Sequence, residues 1–203
     1  MGVARARGRL RPMNQPIALK SDGLARRLFR VADLDRMVEV GVLEPDERIE
    51  LVRGELIPMA AKGARHEILR INLNLYLGDN RPKEISFAPE PGWRLAEFIY
   101  LEPDFIFYSA GTPYAELKAG DVSLVIEISD TSLGYDLGVK AGLYAELGVT
   151  EYWVIDAAER VTHVHKTPTP TGYAERRAYP AETALTPDRI RGLTLRLADI
   201  PGT

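Results

Sequence analysis

"DVSLVIEISDTSLGYDLGVKAGLYAELGVTEYWVID", residues 121–156, decides the fold. Val122–Ser129 is apolar on successive residues, the pattern of a strand covered on both faces. Turn residues follow, then a helical stretch from about Leu137 to Leu147 closed by Gly148, then a second apolar strand, Glu151–Asp156. One residue does not belong. Glu127 stands among Leu124, Val125, Ile126 and Ile128, and a lone buried carboxylate is costly unless a cation or a hydrogen-bond donor compensates it. Glu127 therefore marks a structural ion pair, a metal ligand or an acid–base group. If no metal is present, Glu127→Gln is expected to be neutral or stabilising, because it removes a buried charge at nearly constant shape.

Upstream, Ala32–Val40 has helical spacing, and "RIELVRGELIPM" reads as a hairpin about Arg53-Gly54. Lys62-Gly63 opens a helix to about Leu77, with Ile68, Ile71 and Leu75 beside Leu69 and Leu73 in an apolar stripe. Strands are expected at Ile85–Ala88, Trp93–Leu95 and Asp104–Tyr108. Downstream, "VTHVHK" and "GYAERRAY" form an antiparallel pair and "LTLRLADI" a last strand. A mixed α/β sheet flanked by helices is the economical architecture.

Three residues can join Glu127. Asp104 follows Pro103 and opens the strand "FIFYS". If that strand pairs antiparallel with Val122–Ser129, the start of one lies beside the end of the other and the two carboxylates converge. Lys140 sits early in the helix after the Glu127 strand, where it can turn back toward Glu127 or pair with Asp136 four residues away. Glu50, between Ile49 and Leu51, is a candidate accessory ligand. Hard divalent cations such as Mg²⁺ take such oxygen ligands. His66 begins a helix, where a surface or capping role competes with ligand contact. His163 and His165 share a strand face without a third ligand nearby, a weak zinc signal.

Composition bounds the rest. The 203 residues suit one domain over residues 31–203. Cysteine is absent, which excludes disulfides and thiolate metal sites and agrees with a reducing cytoplasm. No apolar run approaches the ~20 residues of a membrane-spanning helix. The net charge of −3 hides a basic arm, since residues 1–30 hold eight Lys or Arg against one Asp. A flexible tail or overlong start, a nucleic-acid-contacting arm and an organelle-type presequence all fit it.

"RIELVRGELIPMA…H", "EPDFIFY" and "LVIEISDTSLGYDLGVKAGLYAELGVTEYWVID" together resemble the Uma2 (DUF820) family of the PD-(D/E)xK nuclease superfamily. The resemblance runs from about Val31 to Lys166. It implies a restriction-endonuclease-like fold and a Mg²⁺- or Mn²⁺-dependent endonuclease acting on DNA, as a cytoplasmic homodimer. Pro103-Asp104 matches the PD, Glu127 matches the acidic residue of (D/E)xK, and Glu50 matches the glutamate of the hairpin. The metal ligands implied are Asp104, Glu127, the backbone carbonyl of Ile128, and Glu50. The superfamily lysine would fall at Ser129, so Lys140 becomes the catalytic amine. An inactive nuclease-fold module that binds nucleic acid or protein is the alternative. A glycosidase using Asp104 and Glu127 as its acid–base pair is a third reading.

Overall fold

The computed structural model describes residues 23–202 and the backbone of residues 17–19. Residues 1–16 and 20–22, most of the basic arm, lie outside them. The described residues fall into two units, those up to 58 with 96–99 and those of 59–95 with 100 onward.

In the first unit, β1 (Ile17–Leu19) and β2 (Ala25–Arg27) pair antiparallel. Helix α1 (Val31–Glu39) follows, and the Asp33 carboxylate accepts the Arg30 N–H at 2.7 Å to cap its first turn. β3 (Ile49–Val52) and β4 (Glu55–Pro58) form the expected hairpin. Its turn has φ of 49° at Arg53 and 83° at Gly54, the two positive values of a type I′ turn. Gly54 has a second reason to be glycine, because a Cβ there would lie 2.7 Å from the Leu28 Cβ.

The second unit is built on a six-stranded sheet. Its strands are β5 (Ile85–Pro89), β8 (Phe105–Ser109), β9 (Val122–Ser129), β10 (Glu151–Asp156), β11 (Val161–Thr169) and β12 (Gly172–Pro180), in that spatial order. Two short strands, β6 (Trp93–Ala96) and β7 (Ile99–Leu101), lie between β5 and β8 in the sequence. All neighbours in the six-stranded sheet are antiparallel except β9 and β10, which are parallel and joined by a helical crossover. That crossover is α3 (Leu133–Tyr135), a π turn (Asp136–Lys140) and α4 (Ala141–Glu146).

Helix α2 (Ala64–Asn80) packs Leu69, Leu73 and Leu77 into one face of the sheet, against Phe105, Phe107, Leu124, Ile126, Ile128, Trp153 and Ile155. The expected stripe is only half right. Leu69 and Leu73 are buried, whereas Ile68, Ile71 and Leu75 are 38%, 49% and 62% exposed. Both rows are apolar in the sequence, and the sheet has room for one. Strand alternation turns Val125, Glu127 and Ser129 to the other face, beneath Tyr144 of α4. "LTLRLADI" is strand only at β14 (Leu195–Arg196), which pairs with β13 (Ala184–Leu185). A 3₁₀ turn follows, and Leu193, Leu195, Leu197 and Ile200 close the core. Among the described residues no helix is long and apolar enough to cross a membrane.

Candidate active site

The antiparallel register of β8 and β9 sets Phe105 opposite Ile126, so the next pair past the ladder is Asp104 and Glu127. They meet through the backbone. The Asp104 N–H donates to Glu127 Oε2 at 3.4 Å, and the Ile128 N–H donates to Asp104 Oδ2 at 2.8 Å. Both residues are only 4% exposed.

Each carboxylate has its own cation. On the α4 side, Lys140 Nζ donates to Glu127 Oε1 at 2.9 Å and lies 3.9 Å from Asp136 Oδ1. Lys140 thus meets both carboxylates, in a buried cluster rather than on a solvated face. The Tyr144 hydroxyl reaches the same Oε1 at 3.3 Å. Lys140 leaves the chain from a π turn, a helix irregularity that recurs at functional sites. Ser129, at the expected lysine position, lies 3.2 Å from the Ser132 hydroxyl, which donates to Asp136 Oδ2 at 2.6 Å. Burial pushes the Asp136 carboxyl above its usual range, beyond what Lys140 and Ser132 pull back.

On the α2 side the structure adds two residues. Lys62 Nζ donates to Asp104 Oδ1 at 3.1 Å, and His66 Nε2 lies 3.1 Å from Asp104 Oδ2. Burial pushes the Asp104 carboxyl up, but His66, Lys62 and the Ile128 N–H outweigh it and hold the group below the usual 3.8. His66 Nδ1 meets Glu67, and Glu67 holds Arg70 through two hydrogen bonds of 3.1 and 2.8 Å. Sequence reasoning missed Lys62 and left His66 undecided. The signal available was position, since His66 heads the buried row of Leu69, Leu73 and Leu77, where a polar side chain needs a partner.

Glu50 is 1% exposed in β3, in the first unit. His165 is 3% exposed and packs between the rings of Tyr152 and Tyr173, as a core side chain whose pKa burial lowers. Among the described residues no three His, Asp or Glu side chains form a ready-made cation cage. Asp104 and Glu127 are neutralised instead by protein cations.

The sequence matches the Uma2 family, described as "Putative restriction endonuclease", over residues 31–198. The chain belongs to the Uma2 family. A relative in Synechocystis sp. (strain ATCC 27184 / PCC 6803 / Kazusa), "Uncharacterized protein sll1609", is 32% identical over 130 residues, 59% of this chain and 73% of that one. A crystal structure of "a putative nuclease belonging to DUF820" from Anabaena variabilis ATCC 29413 is similar with a TM-score of 0.61 at 15% identity. The match covers 79% of this Uma2 chain and 93% of that protein. At that identity the likeness concerns fold, and the fold is the restriction-endonuclease-like one expected from the sequence. Family membership assigns the chain, at the coarse level, to the nucleases.

Proposed function

We propose that this Uma2 protein is a divalent-metal-dependent endonuclease that hydrolyses phosphodiester bonds in DNA. One observation carries the proposal: Asp104 and Glu127 meet at one end of the β8–β9 pair, with the Lys140 ammonium 2.9 Å from the second carboxylate. The donors fit Mg²⁺ or Mn²⁺ in kind, because they are carboxylate oxygens, one on β9 and one immediately before β8, with no sulfur among them. In extended backbone the N–H and C=O of one residue point to the same side. Because the Ile128 N–H faces Asp104, its carbonyl is the candidate third oxygen. A metal bound by these groups would acidify a water and draw charge from a phosphate oxygen.

The chain's own groups do the rest. Lys62, which donates to Asp104 Oδ1, would have to yield to a cation held by that carboxylate. Lys140 holds negative charge growing on the phosphoryl group, and Tyr144 fixes the Glu127 rotamer on which Lys140 rests. His66 orients Asp104. With this reading go two expectations, a cytoplasmic location from the absence of cysteine and a homodimer able to cut both strands.

The alternative, a nuclease-fold module that binds without cutting, has its own support. Both carboxylates already have protein cations, and Ser129 stands where the superfamily lysine would be. Plasmid relaxation separates the two. Wild type with Mn²⁺ should nick supercoiled DNA, EDTA should stop it, and D104N and E127Q should both be inactive. K140A should retain Mn²⁺ binding yet lose cleavage. A wild type that binds plasmid but never nicks it is the module.

A further inference from the structure

Glu90 lies between Pro89 and Pro91 and holds a φ of 47°, left-handed backbone that a residue with a Cβ seldom adopts. Its N–H donates to the Asp104 carbonyl at 2.9 Å, which ties this turn to the residue bearing the first carboxylate of the site. Its side chain bridges two cations, pairing with Lys62 and lying 3.0 Å from Arg70 Nη1. Unusual backbone persists where the surroundings hold it, and such residues cluster at functional sites.

Neither cation depends on Glu90. Lys62 also has Asp104, and Arg70 also has Glu67. The side chains of these acids are 5% exposed at Asp104, 35% at Glu67 and 43% at Glu90. Glu90 is thus the most accessible of the three and can leave without stranding either cation. Lys62 and Arg70 are each 17% exposed, open enough to receive a ligand and buried enough to stay in place. A lysine and an arginine converging on one anion make a site for a phosphodiester oxygen, for which a carboxylate is a fair mimic.

We infer that Lys62 and Arg70 form a receiving site for a DNA backbone phosphate, and that the Glu90 carboxylate occupies it as a built-in competitor which DNA displaces. The inference rests on the nuclease reading for its choice of ligand. It also accounts for an acidic protein that acts on a polyanion. The cations are present but covered, so only a strand seated at the site gains them.

The test is fluorescence anisotropy of the full chain with a short DNA duplex in EDTA at low salt. E90Q, which keeps shape and removes charge, should bind at least about threefold tighter than D79N. Asp79 is exposed near the far end of α2, so D79N makes the same change in net charge without touching the site. K62A and R70A should each weaken binding by about tenfold, and each should abolish the gain from E90Q. Inorganic phosphate should raise the melting temperature of E90Q more than that of wild type, a readout independent of DNA. E90Q binding no tighter than D79N, its gain surviving K62A and R70A, or equal phosphate shifts in E90Q and wild type would each overturn the inference. The outcomes also part this inference from its premise. Tighter E90Q binding in a protein that never cuts plasmid keeps the phosphate site and removes the nuclease. Cutting by wild type, with E90Q no tighter than D79N, does the reverse.

Discussion

Donors in reach of the Glu127 carboxylate include the Lys140 ammonium, the Tyr144 hydroxyl and the Asp104 N–H. Lys140 is as deeply buried as Glu127, 4% exposed each, so neither charge can be removed alone without consequence. The expectation that Glu127→Gln is neutral or stabilising therefore turns round. Without metal, E127Q should lower stability by about 3 kcal/mol, because Lys140 loses its nearest carboxylate in a dry site. E127Q with K140M should recover most of that loss. Urea unfolding measures both, and a double variant no better than E127Q would show that the charges are not coupled. Asp104 predicts a pH dependence. Its carboxyl lies below 3.8 in the folded protein, so its contribution is present above that value and lost as pH falls through the folded pKa. The stability difference between wild type and D104N should hold from pH 7 to about 4 and shrink below it. A flat difference down to pH 2 would contradict the assignment.

At the scale of elements, periodicity located α2 but not the face it buries. Ile68, Ile71 and Leu75 keep helical spacing as well as Leu69, Leu73 and Leu77 do, and only the second row meets the sheet. L73A should cost about 2–5 kcal/mol, as a cavity opened beneath a sheet does. L75E should stay within about 0.5 kcal/mol. Chemical denaturation of the two tests the assignment, and an equal loss would reverse it. The strand β9 was legible residue for residue, because a run of eight with buried faces on both sides leaves little choice of conformation. The crossover helix was legible in type but not in form. Its π turn at Asp136–Lys140 is not visible in apolar spacing, which marks a helix without distinguishing its hydrogen-bond pattern.

For the molecule as a whole, metal binding is the decisive quantity, since a ligand that binds only the folded state stabilises it. At about 100 times its Kd, Mn²⁺ should add about 2.7 kcal/mol to wild type and nothing to D104N. Calorimetric melting reads this directly, and an unchanged wild type would favour the non-cleaving module. The sequence by itself determined the order of the main strands and helices from α2 to β12, the mixed sheet, and the need for a compensated charge at position 127. Those properties live in short windows, where apolar spacing and one misplaced carboxylate are visible. Lys140 was legible as a partner for that charge, and only the tertiary structure decided what compensates Asp104. Lys62 and His66 reach Asp104 from 42 and 38 residues away, and Glu90 reaches Lys62 across 28. Strand register and helix rotation set such meetings, and both are chosen by the packing of the whole core rather than by the residues that meet.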